Sequence, residues 1–270
     1  MTRDALLFRL YTGLILLIAL AAIFAPLLTS YDPYESQIQM SLLPPSAEHY
    51  FGTDKLGRDL FTRVLYGARV SLTMTLFVVV LIAGLGTLIG VISAYVGGKV
   101  DTVIMRLADI FLAFPGIVLA IAIAGVLGGS AVNAVLALVV VGWTKYARLA
   151  RSLTLKVKQQ DYLAAAITNG TRQADMIRRH ILPNILPIII VTAALDIGAL
   201  MMELAGLSFL GFGAQPPTPE WGLMLNEGRQ LIQTAPWLMI FPGLAIVIVV
   251  AVFNLWGDSL RDIMDPRKAN

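Results

Sequence analysis

Apolar residues in this chain gather into long blocks rather than into the short alternating or amphipathic patterns of water-soluble domains. Six blocks approach the ~20 residues that a helix needs to cross a bilayer: Leu10 to Leu28, Ser71 to Tyr95, Val103 to Val126, Ala131 to Tyr146, Ile185 to Leu210 and Trp237 to Leu255. The fourth is short. Pro115-Gly116 interrupts the third, where a missing backbone donor bends a helix. Arg3 and Arg9 flank the first block, but that block is long for a signal peptide. Pro26-Leu27-Leu28-Thr29 offers no small-x-small cleavage site, so an uncleaved membrane helix is expected. The predicted fold is therefore all-α, a polytopic bundle of about six transmembrane helices. Residues 1–30 hold the N-terminal tail and first helix, 31–70 an outer loop, 71–260 the membrane core and 261–270 a tail.

One polar island breaks this pattern. Asp161-Tyr162-Leu163-Ala164-Ala165-Ala166-Ile167-Thr168-Asn169-Gly170 is followed by Arg178-Arg179-His180-Ile181-Leu182-Pro183-Asn184. The alanines are strong helix formers, and Gly170 permits a turn that other residues resist. Pro183 is expected to end the second helix and start the fifth span. Residues 159–183 thus read as a helix, a glycine turn and a helix. This insertion is longer than the usual connection in a compact bundle.

Composition agrees with a membrane protein: 57% of residues are hydrophobic and 14% charged. With the N-terminus inside, only Lys55, Arg58, Arg63, Arg69 and Arg229 of the 20 Lys and Arg residues fall on the outer side. The rest gather inside, as the positive-inside rule requires. The basic pI of about 9.2 is explained by this bias rather than by nucleic acid. Both termini and the 159–183 island are then cytoplasmic, and Asn169-Gly170-Thr171 is no glycosylation site. With no Cys, disulfides and Cys-based metal or redox sites are excluded.

Three ionisable residues lie inside the spans: Asp109, Asp196 and Glu203. Such groups are costly in lipid and face the bundle interior or water. Asp196 and Glu203, seven apart, share a helix face, and Asp109 is within reach of Arg106. With Met201 and Met202 they form the expected pore lining, although interhelical pairing and plain packing explain the same residues. Gly86, Gly90 and Ala94 recur every four residues, which lets a neighbouring helix approach closely. Gly52 and Gly57 mimic a phosphate-binding loop. Arg58-Asp59 replaces the required Lys-Ser/Thr pair and no strand precedes it, so no nucleotide site is expected. His49 and His180 stand alone. No catalytic constellation, cofactor motif or stable metal site is present.

The island resembles the coupling-helix motif of the permease subunits of bacterial ABC importers. Ala165, Ala166, Gly170, Leu182 and Pro183 match it; Ala164 stands where that motif has an acidic residue and His180 where it has Ile. Further stretches resemble the second permease of peptide and nickel importers. These are Tyr31-Asp32-Pro33, the run Phe51 to Asp59, Leu207 to Gly211, Pro216 to Gly222, Gly257 to Asp262, and Asp265-Pro266-Arg267. The resemblance implies a type I importer permease in a bacterial inner membrane. It also implies a sister permease, two ATP-binding subunits that supply hydrolysis, and an extracytoplasmic substrate-binding protein. The Ala164–Gly170 helix would meet an ATPase, and the Phe51–Asp59 stretch would be an outer structural element near the binding protein. Leu195 to Gly198, Met201-Met202 and Ala205-Gly206 lean towards the nickel branch over the peptide branch. A gradient-driven secondary transporter is the competing class, but residues 71–146 and 185–255 show no internal repeat.

Overall fold

The computed structural model describes residues 3–168 and 170–264. The Asp265-Pro266-Arg267 stretch and Lys268 lie outside the described residues, as do Asn169 and the side chains of Ala164 and Ala165. The helices are α1 (Arg3–Ile23), α2 (Ala25–Leu28), α3 (Leu60–Val96), α4 (Gly98–Leu112), α5 (Gly116–Leu127), α6 (Ala131–Lys158), α7 (Asp161–Thr168), α8 (Gln173–Asp175), α9 (Leu182–Phe209), α10 (Trp221–Gly228) and α11 (Trp237–Met264). Among the described residues there is no strand, only an isolated bridge between Thr53 and Asp59. Five helices are long and apolar enough to span a membrane, and the pair α4 and α5, bent by 90°, adds a broken sixth.

The bundle centres on α3 and α6. Gly86 and Gly90 make that contact: a Cβ on Gly86 would lie 2.5 Å from the Trp143 carbonyl, and one on Gly90 2.2 Å from the Ala147 carbonyl. Backbones therefore touch, as expected for small residues in lipid. On the other side Gly198 admits Asn254, and Gly257 lies against Leu195, which packs α9 on α11.

Several boundaries differ from expectation. Helix α3 begins at Leu60, not Ser71, so the outer loop ends eleven residues early. Its 37 residues make a rod about 55 Å long, well beyond the hydrocarbon core. The polar run of residues 54–63 hid this start: Asp59 caps the helix by accepting from the Thr62 N–H at 2.8 Å, a role that favours Asp. Helix α6 runs on to Lys158 and α11 to Met264. Pro183 does not end the second polar helix. Residues 176–181 form a π-helical turn that leads directly into α9, with Pro183 in its first turn, where a proline N–H is not required.

Candidate functional site

The knob between α6 and α9 is built around a left-handed turn. Gly170 has φ +74°, and nothing lies within 4 Å of the Cβ that another residue would bring. The Thr171 N–H donates to the Ala166 carbonyl at 3.1 Å. That six-to-one bond past a left-handed residue is a Schellman ending of α7. The chain then turns back into α8, where Met176 N–H bonds to the Arg172 carbonyl at 2.9 Å.

Few side chains hold the knob. Leu163, Met176, Ile181 and Ile185 are buried and join it to the bundle. The Asn184 amide donates to the Tyr162 hydroxyl at 3.2 Å and to the His180 carbonyl at 2.6 Å, which ties the start of α7 to the turn before α9. Arg172, Arg178 and Arg179 are exposed, as are Tyr162 and Pro183, while Leu182 is half-buried. The knob thus presents a basic, partly apolar surface with little intramolecular cover.

Next to it, the half of α6 that leads into the knob carries a ladder of cations. Lys145 Nζ reaches both Asp196 oxygens at 2.7 Å, and the Tyr146 hydroxyl donates to Asp196 at 2.8 Å. Arg148 pairs with Asp109. Arg151 takes Asp101 in a fork, 2.6 Å and 2.5 Å, with the Ser93 hydroxyl on the same carboxylate at 2.6 Å. Lys158 donates to the Ala94 and Tyr95 carbonyls at the end of α3, at 3.0 and 3.2 Å.

Of the residues expected to line a pore, Asp109 and Asp196 are thus held by cations of α6. Asp109 also lies 3.8 Å from Arg106, the pair expected from their spacing. Glu203 is half-buried and makes no hydrogen bond or ion pair among the described residues. Met202 is exposed, whereas Met201 is 2% exposed and packs inside the chain. Among the described residues no three His, Asp or Glu side chains converge as a metal-binding group.

The far end of the bundle is closed by a buried ionic cluster that sequence reasoning missed. Asp54 accepts from the backbone of Leu56 and Arg58 and from Arg58 Nε at 2.6 Å. Arg63 donates to Glu227 at 3.0 Å, with Arg58 3.5 Å from the same carboxylate. Arg58 and Arg63 are 2% and 1% exposed. They are packed inside the protein, whereas Lys55 and Arg229 are exposed and Arg69 donates to the Ile23 carbonyl at 2.8 Å. His49 is buried against Asp59 at 2.9 Å. Gly57 is required here: its φ is +75°, and a Cβ would meet the Gln37 carbonyl at 1.8 Å. The phosphate-loop look-alike is thus a closed turn packed on Gln37.

Glu220 is a second missed residue. Its carboxylate caps α10 by accepting from Gly222 and Leu223 N–H at 2.9 and 2.8 Å, and the Ser71 hydroxyl lies at 3.2 Å. Burial pushes this carboxyl above its usual range, and the two backbone donors pull it back. Trp221 fixes the same corner through its indole N–H to the Val64 carbonyl, 2.9 Å. The available signal was a Glu one residue before Trp-Gly, an N-cap position that the proline-rich run concealed.

Helices long and apolar enough to span a membrane, with a protruding helix–turn knob and a sealed opposite end, fit a membrane permease component. The comparisons with known proteins make this specific. Residues 86–270 match the family "Binding-protein-dependent transport system inner membrane component". Residues 12–45 match the "N-terminal TM domain of oligopeptide transport permease C". The chain is 48% identical to the dipeptide transport system permease protein of Alkalihalophilus pseudofirmus, over 94% of this chain and 84% of that one. It is 41% identical to the nickel transport system permease protein of Escherichia coli K12, over 96% and 93%. Its fold resembles a chain of the inward-facing MetNI methionine ABC transporter, with a TM-score of 0.60 at 20% identity, over 76% of this chain and 98% of that one. The protein belongs to the peptide and nickel ABC importer permease family, and is a multi-pass inner-membrane permease subunit.

Proposed function

We propose that this chain forms half of the translocation path of an ATP-driven importer and couples it to ATPase subunits through the 159–183 knob. The observation that carries the reading is the knob itself: an exposed basic surface, ended by a left-handed Gly170, mounted on α6 and α9. Ala164, Ala165, Ala166, Gly170, Leu182 and Pro183 form the coupling segment. The chain holds no nucleotide site of its own in this reading, and two partner ATPases supply hydrolysis. A sister permease completes the pore, and an extracytoplasmic binding protein delivers substrate. The knob end faces the cytoplasm with both termini in this reading, since Lys and Arg are more numerous there than at the sealed end.

The substrate best supported is a small peptide, because the relative named for dipeptide transport is 48% identical and the one named for nickel 41%. Nickel is the second reading, favoured by the near-complete overlap with the nickel permease. Asp109, Asp196 and Glu203 remain the polar groups offered to the path. Gentle detergent purification of the chain from its native membrane tests the assignment. Co-purification of a second permease and ATPase subunits supports it, and the ligand of the accompanying binding protein separates peptide from nickel. A chain that emerges alone and intact refutes it and favours a secondary transporter.

A further inference from the structure

Helix α4 is held in an unusual way. It packs against α3 and α6, yet of its fifteen residues only Ala108 is buried. Val103, Leu107 and Ile110 are 67%, 47% and 61% exposed and point away from the rest of the chain. Hydrophobic burial therefore contributes little to its position. Besides an edge-to-face contact of Phe111 with Trp143 and the Ser93 hydroxyl of α3 on Asp101, its attachment is ionic: Asp101 to Arg151 and Asp109 to Arg148, eight residues apart on α4 and three apart on α6.

Both ends of α4 are built to bend. At its start Gly97 and Gly98 have φ +69° and +57°, and nothing lies within 4 Å of the Cβ either would carry. At its end Ala113, Phe114 and Pro115 make the 90° break before α5. Proline removes the backbone donor there. A rigid helix between two pliable joints, fixed to one neighbour by two ion pairs, moves with that neighbour.

That neighbour is α6, which leads to the knob through Gln159 and Gln160 alone. Arg148 and Arg151 lie on its last three turns. Resting on the reading of the knob as the ATPase contact, we propose that α4 is a lever clamped to α6 by the Asp101–Arg151 and Asp109–Arg148 pairs. It carries knob displacement to the α4–α5 break. The clamp makes α4 one body with α6 and with α3, on which α6 is packed at Gly86 and Gly90, and the break at Pro115 absorbs the rotation.

A cross-link that replaces the clamp tests this, and because this chain has no native Cys, the reaction within it is confined to the introduced pair, with the complex of wild-type chain treated alike as the control. In the full importer complex, the double variant Asp101→Cys and Arg151→Cys removes one pair. Reduced, it is expected to keep its ATPase subunits and hydrolyse ATP, while uptake falls by about fivefold or more, the scale on which coupling mutations act. Bridging the two thiols with a short, reducible bis-methanethiosulfonate restores uptake, because a rigid link does what the ion pair did. Uptake that survives in the reduced variant, or that the bridge fails to restore, overturns the lever while the ATPases remain bound. If the wild-type chain does not hold ATPase subunits at all, the underlying reading of the knob falls with it.

Discussion

Replacing Gly170 separates the shape of the knob from the stability of the bundle. Its φ of +74° lies in the left-handed region, and no atom sits within 4 Å of an added Cβ. Substitution therefore meets no clash, and the whole cost is conformational. An L-residue with a Cβ pays about 1–2 kcal/mol in that region, while Asn tolerates it. That cost shifts the population of the folded turn by a factor of about 5–30. The series Gly170→Asn, Gly170→Ala, Gly170→Val should then show rising loss of substrate uptake in reconstituted proteoliposomes. Amount in the membrane and detergent melting temperature should stay near wild type, since the turn is exposed and the bundle core does not touch it. Equal uptake across the series would refute the argument. So would an Asn variant as poor as Val, because left-handed strain could not then be the cause.

Gly90→Leu should prevent stable assembly of α3 on α6, because its Cβ would lie 2.2 Å from a backbone carbonyl, an overpacking cost of about 1–3 kcal/mol or more; Gly84→Ala, with open space around it, should melt like wild type in the same detergent assay. Glu227→Ala leaves Arg58 and Arg63 buried with only Asp54 between them, one positive charge uncompensated, and should cost about 3–5 kcal/mol, read as a large drop in melting temperature that Lys55→Ala does not cause. Glu220→Ala should lose an N-cap worth about 0.5–2 kcal/mol. Glu220→Gln, which mimics the protonated acid, should keep most of it. Because burial raises this carboxyl in the folded chain, its contribution is complete in acid and declines as pH rises from the ordinary carboxylate range through its raised value. The Gln variant should flatten that part of the stability profile.

The spans and the knob were legible from one-dimensional pattern, because the bilayer demands long apolar runs and internally satisfied backbone. A polar helix–glycine–helix insertion between two spans has no other place to go than the water at one end. The Gly86 and Gly90 spacing likewise stated its own purpose, since close approach depends only on which side chains are missing. What pattern could not show was which charges meet. Lys145, Arg148 and Arg151 read as topology signals, yet each binds a carboxylate from another helix 39 to 51 residues away. Arg58 and Arg63 read as loop residues, yet they are among the most buried side chains in the protein, held by Glu227 more than 160 residues later. Met201 and Met202 are adjacent and alike, but the rotation of a single residue step along α9 hides the first and exposes the second. Local sequence determines where a helix can form and where water must be. The pairing of distant charges, and the face each side chain presents, follow from how the helices cross, which only the tertiary packing decides.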